Sequence, residues 1–287
     1  MSLLHLRHQG ANLATMGRVA IGALGRRPRA TPPTPGPEFS ATVPPLPQRL
    51  RDDFVRWCGG DPAAFGAKVP PWMFPQWGLP HLARTLDAIP WKVQRVVNQG
   101  CRVEIRGPLP ADAPLQVTAQ LVGIEETERR ARLHQRLTTG PASQPDAVVA
   151  DVFAVVPLAR GPKGAKREPP TVPDDHTRLA PIAAHAGDGW RFALLTGDFN
   201  PIHWIGLAGK AAGFGGVILH GFGILARVAQ ALNDDSAPLS SLDVRFVRPL
   251  RLPADVSLFT RDDDGAISLA VGEAPGATAR MLGTATR

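Results

Sequence analysis

Residues 219–232 read Leu-His-Gly-Phe-Gly-Ile-Leu-Ala-Arg-Val-Ala-Gln-Ala-Leu. Leu219, Phe222, Leu225, Val228 and Leu232 recur at steps of three and four, which predicts a helix with one apolar stripe and Gly221 and Gly223 at its start. Past Asn233-Asp234-Asp235 the period falls to two, in 242–246, 256–259 and 266–271, with Asp264-Gly265 as a tight turn. Alternation of this kind predicts antiparallel strands. A helix followed by such strands is an α+β unit, in which the helix covers the apolar face of the sheet.

Working outward, the same order recurs upstream: a helix near 79–89, then strands over 101–105, 115–124, 129–138 and 148–156. Gly78-Leu79-Pro80-His81-Leu82-Ala83-Arg84 lies on Gly221-Phe222-Gly223-Ile224-Leu225-Ala226-Arg227, and Pro110-Ala111-Asp112 lies on Pro253-Ala254-Asp255, both 143 residues apart. The shared order and near-constant offset point to an internal duplication. Four segments follow from this: a basic start and proline-rich spacer (1–48), a first repeat (49–160), a linker (161–173) and a second repeat (174–287). The spacer, with Pro32, Pro33, Pro35, Pro37, Pro44, Pro45 and Pro47, reads as extended and semi-rigid.

The chain has 287 residues, 44% of them hydrophobic, which supports a large core and argues against wholesale disorder. No apolar run is long enough to cross a membrane. Two cysteines, Cys58 and Cys101, make no disulfide framework and suggest a reducing, cytoplasmic setting. No Cys/His cluster has zinc spacing, so neither metal nor other cofactor is expected. Net charge is +7, concentrated at Arg7, Arg18, Arg26, Arg27 and Arg29 and again at Arg160, Lys163, Lys166 and Arg167. The aromatics do not interleave with these runs and no nucleic-acid motif occurs, which leaves an anionic small ligand or ordinary solvated arginine. The N-terminal 30 residues read as a peripheral basic helix, with contact to an anionic membrane surface as the lesser alternative.

Just ahead of the helix stands Thr196-Gly197-Asp198-Phe199-Asn200-Pro201-Ile202-His203, then Gly213-Phe214 and Ile218-Leu219-His220-Gly221. Asn200-Pro201 is a helix-start signal, which puts Asp198 in the preceding loop and His203 in the first turn. A carboxylate and an imidazole that share a water can take one of its protons and deliver another. Asn200 is placed to orient the water or a carbonyl. The Gly221 amide, at a helix N-terminus and without a side chain in the way, is suited to an enolate-like oxyanion. Taken alone, such a run is an ordinary turn and cap, and His220 reads more readily as structural; the combination and order of the elements favour a site.

This combination resembles the MaoC-like dehydratases and (R)-specific enoyl-CoA hydratases, whose signature is a Gly-Asp-x-Asn-Pro-hydrophobic-His run, Gly-Phe, then a hydrophobic pair with His-Gly. Arg245-Phe246-Val247-Arg248-Pro249-Leu250 is similar to the family's next strand. The resemblance implies a double hot-dog, each half a helix wrapped by a curved antiparallel sheet. It implies Asp198 and His203 as the water-activating pair, with Asn200 and Gly221 assisting. It further implies a hydro-lyase acting between trans-2-enoyl and (R)-3-hydroxyacyl thioesters of CoA or an acyl carrier protein. Phe214, His220 and Phe222, with Arg245, Arg248 and Lys210 for the carrier's phosphates, are the candidate substrate contacts. In the first repeat Gly60-Asp61 resembles Gly197-Asp198, but Pro62-Ala63-Ala64-Phe65 follows with no Asn or His, so that half is expected to be catalytically empty and to shape an acyl pocket with Trp72, Phe74 and Trp77. Ile205 and Val217 depart from the family, which often has an acidic residue and a proline there. The rival readings are a hot-dog acyl-CoA thioesterase and a non-catalytic acyl-CoA-binding protein. Two fused hot dogs already make a pseudo-dimer; a homodimer of pseudo-dimers is a further assembly left open.

Overall fold

The computed structural model describes residues 3–22, 30–159, 168–234 and 236–287. Arg26, Arg27 and Arg29, and Arg160, Lys163, Lys166 and Arg167 with the first part of the expected linker, lie outside the described residues.

Ten strands form one antiparallel sheet. The first half supplies β1 (Phe39–Val43), β2 (Val97–Ile105), β3 (Leu115–Glu126), β4 (Arg130–Gly140) and β5 (Val148–Pro157). The second supplies β6 (Thr177–Ile182), β7 (Ser241–Phe246), β8 (Val256–Asp263), β9 (Ala266–Gly272) and β10 (Met281–Thr286). Their order is β1-β3-β4-β5-β2-β7-β10-β9-β8-β6. Entered from either edge, the succession is the same, which is the spatial form of the duplication. The halves meet where β2 pairs β7, with Cys101 opposite Val244 and Val103 opposite Leu242. All four side chains are buried, so the seam is continuous with the core.

Among the described residues six α-helices accompany the sheet: α1 (Gly10–Gly22), α2 (Gln48–Cys58), α3 (Pro75–Thr85), α4 (Asp188–Thr196), α5 (Gly206–Ala211) and α6 (Gly221–Leu232). In α6 every residue from Phe222 to Ala229 is buried, as expected of a helix enclosed by sheet and neighbouring helices. The partner helix α3 runs over 75–85, about one turn earlier than the 79–89 expected. Gly78 therefore sits inside α3, under Leu137, while Gly221 opens α6. Phe74 and Phe222, each near the start of its central helix, meet edge to face with ring centroids 5.3 Å apart. The chain is a double hot-dog.

The stretch expected to be a spacer carries edge strand β1, which pairs β3 from Phe39↔Ala119 to Val43↔Leu115. The end of the expected linker is also docked: Val172 is fully buried and its N–H donates to Ala277 O. The two cysteines are free and buried, and burial pushes both thiols up from their ordinary range. No described helix is long and apolar enough to cross a membrane.

Candidate active site

α4 ends on Gly197, whose φ of 80° lies in the left-handed region that favours glycine. This reversal delivers Asp198 and Phe199 into a loop. Asn200 then caps a single 3₁₀ turn, Pro201–His203, its Oδ1 accepting from the Ile202 N–H at 3.4 Å. The Asn-Pro start signal is real, but the helix it opens is one turn long, and it places the buried His203 at its end. Gly189 in α4 makes the fit possible, since a Cβ there would overlap the His203 carbonyl.

His203 Nδ1 donates to Ile218 O at 2.9 Å. A carbonyl only accepts, so the proton is on Nδ1 and Nε2 carries a lone pair. His220 Nε2 likewise donates to the backbone oxygen of Asp198 at 3.0 Å and lies 3.8 Å from its carboxylate Oδ2. The two imidazoles stack with centroids 3.6 Å apart, and Phe192 packs on His220 at 4.7 Å. Burial holds both imidazoles below the free value of 6.5; for His203 the nearby Asp198 charge opposes this, and for His220 the closeness of His203 adds to it. Both are therefore neutral at pH 7.

One ligating atom each from Asp198, His203 and His220 lies within 4.8 Å of the others, a spacing that a metal ion could bridge. The protonated Nε2 of His220 has no lone pair to give, and its Nδ1 is buried without a partner. Asp198 and His203 each present an acceptor atom, an arrangement that can hold a water, while His220 keeps a lone pair on its buried Nδ1.

α6 begins beside this group. His220 provides no side-chain cap; the Gly223 N–H donates to His220 O at 3.0 Å, and the Gly221 and Phe222 amides ahead of it lie at the positive end of the helix dipole. A Cβ at Gly221 would come within 2.7 Å of the Phe246 ring. The close approach required there is that of Phe246.

The remaining sequence candidates are dispersed. Lys210, Arg245 and Arg248 are exposed and Phe214 is half-buried. Phe222 belongs to the core between Phe74 and Phe246. Trp72, Phe74 and Trp77 are buried in the first half, Trp77 pinned by its Nε1 donating to Thr139 Oγ1 at 3.1 Å. Sequence reasoning missed the support around the site. Trp190 packs on Phe199 and Trp204, and Trp204 Nε1 donates to Phe199 O at 3.2 Å. Arg227 in α6 pairs with Asp188 at the start of α4 at 3.0 Å, both almost wholly buried. Its guanidinium lies 3.8 Å over the Trp57 ring and also donates to the carbonyls of Trp57 and Ala183. A charged residue in an otherwise apolar helical stripe was the available signal.

Residues 165–265 match the family model described as "MaoC like domain". Among characterised relatives, 3-hydroxyacyl-thioester dehydratase X of Mycobacterium tuberculosis is 30% identical over 165 residues, covering 54% of this chain. The match spans 58% of that relative's own length. The crystal structure of HtdX from Mycobacterium tuberculosis superimposes with a TM-score of 0.69 at 20% identity, covering 86% of this chain and 98% of that one. A second Mycobacterium tuberculosis protein, described as having a double hot-dog fold, gives 0.54 at 13% identity, covering 88% and 96%. The matched MaoC-like segment contains the whole Asp198–Gly221 constellation.

Proposed function

We propose that this chain is a hydratase/dehydratase interconverting trans-2-enoyl and (R)-3-hydroxyacyl thioesters. The observation that carries this reading is the convergence of the Asp198 carboxylate with a neutral His203 whose Nε2 is free. The similarity to a protein named 3-hydroxyacyl-thioester dehydratase supports the choice of substrate class.

In the hydration direction Asp198 and His203 hold one water. One of the pair takes a proton from the water as its oxygen bonds C3, and the group so protonated then delivers that proton to C2 on the same face of the double bond, so that both groups end as they began. Between these events the thioester carbonyl carries enolate charge, and the Gly221 amide at the start of α6 stabilises it; loss of one such donor costs about 3–4 kcal/mol of barrier. Asn200 keeps the turn in shape through its cap. CoA and acyl carrier protein present the same thioester to these groups, and exposed Lys210, Arg245 and Arg248 are candidates for the carrier's phosphates.

The test is a hydration assay on trans-2-enoyl-CoAs from C4 to C16, followed by the loss of conjugation, with chiral analysis of the product. The expected result is turnover on part of the series with an (R)-3-hydroxyacyl product. Release of free thiol without hydration would assign the thioesterase reading instead, and binding of every chain length without turnover would make the chain a carrier.

A further inference from the structure

The N-terminal segment packs against the turn that leads to Asp198. Gln9, just before α1, and Asn12 within it are buried, although Ala11, Leu13 and Ala14 beside them are exposed. Gln9 Nε2 donates to the carbonyl of Leu194 at 3.0 Å. Leu194 lies in the last turn of α4, where carbonyls lack intrahelical partners, so Gln9 acts as a C-cap for α4 supplied from elsewhere in the chain. Asn12 uses both amide hydrogens: one goes to Gln9 Oε1 at 3.1 Å, the other to the Gln76 carbonyl of α3 at 3.0 Å. Its side chain also fills the space beside Gly197, where a Cβ would overlap it. Gly197 is the residue before Asp198. One connected set of amides therefore joins α1, α3 and the turn that presents the carboxylate.

Farther along the segment, His5 is buried and bonds Asp53 of α2 at 2.7 Å. The segment is thus tied to α2 and α3 of the first half and to α4 of the second.

We propose that Gln9 and Asn12 are positioning residues for the Asp198 turn, which makes the N-terminal helix part of the active site; this rests on the hydratase reading above. Neither side chain reaches the reacting atoms. They set where α4 ends, and so where the Asp198 carbonyl meets His220 and where its carboxylate meets His203. Substrate affinity depends on other surfaces, so the effect falls on turnover.

The experiment uses the full chain with four substitutions: Gln9→Ala, Asn12→Ala, Asn12→Asp and, as a control on the exposed side of α1, Leu13→Ser. Each is assayed below its own melting temperature on the enoyl-CoA that the wild type hydrates fastest. Asn12→Asp keeps the size of the side chain and loses both donated hydrogens, so it separates the hydrogen bonds from the packing. The expected result is a fall in kcat of about 10- to 100-fold in the first three, with KM within about twofold of wild type. Leu13→Ser is expected to turn over as wild type. Wild-type kcat in Asn12→Asp and Gln9→Ala would overturn the inference alone, as would losses that follow only the folded fraction. If Asn12→Asp does not fold, Gln9→Ala decides the matter by the same reading. A wild-type chain that hydrates no enoyl thioester would overturn the hydratase reading and this inference with it.

Discussion

The turn after α2 and the turn after α4 occupy matching places in the two halves. Both helices end on a left-handed glycine, Gly59 with φ 92° and Gly197 with φ 80°. Both then reach a single 3₁₀ turn opened by a capped Asx-Pro pair: Asp61-Pro62, with Asp61 accepting from the Ala63 N–H, and Asn200-Pro201, with Asn200 accepting from the Ile202 N–H. The counterpart of Asp61 is therefore the cap Asn200, not Asp198 as the sequence alignment suggested. Between glycine and proline the second turn holds one residue more, and its 3₁₀ turn ends in His203 where the first ends in Ala64. What both halves share is what the fold needs: a reversing glycine, an Asx cap and a proline. The second half alone has the carboxylate and the imidazole, and those two are the parts that folding does not explain.

The comparison yields a ranked set of expectations. Asp198→Asn is expected to lower turnover by about 10²- to 10⁴-fold, the usual range for a general acid–base group, while Asp61→Asn, which keeps a cap, leaves it unchanged. Steady-state kinetics on both variants checks this. A comparable loss in Asp61→Asn would mean that the turn and not the carboxylate matters.

Arg227 touches both turn-bearing helices, through the Trp57 carbonyl near the end of α2 and Asp188 at the start of α4. Asp188→Ala strands a buried guanidinium and is expected to cost about 3–5 kcal/mol of stability, read by denaturant unfolding.

The two imidazoles of the second half add a pH dependence that the first half lacks at this turn. Their folded pKa values lie below 6.5, so the unfolded chain binds more protons than the folded one in that range. Stability from this source is complete above about pH 6.5 and falls as pH drops through the lowered folded values. Melting temperature against pH is expected to decline on the acid side, and His203→Gln is expected to flatten that decline.

The smallest effects belong to the shared caps. Asn200→Ala and Asp61→Ala are each expected to cost about 1 kcal/mol. Asn200→Asp, which copies the first half's cap, is expected to retain stability in thermal melts.

Much of this was legible in the sequence, and the reasons for the gaps are physical. The long strands β3 and β4 alternate buried residues with half-buried or exposed ones, and the buried stripe of α6 repeats at helical spacing, so all three were readable. Edge strand β6 contains Pro181 and has a single fully buried residue, Ile182, so it carries no alternation to read. In β10 small residues stand where large ones would announce a strand: a Cβ at Gly283 would overlap the Asp243 carbonyl of β7. β1 is concealed by the prolines around it. The proposed site residues lie within one short stretch, 198–221, where their spacing can be read, whereas Gln9 and Asn12, nearly two hundred residues from the turn they hold, gave no local signal.

The central claim is that the pair unique to the second half activates water. Hydration of trans-2-enoyl-CoA by wild type and by His203→Ala, at equal folded protein and with Asp61→Asn alongside, tests it most directly. The account predicts turnover in wild type and Asp61→Asn and a loss of about 10²-fold or more in His203→Ala. Equal turnover in wild type and His203→Ala would contradict it.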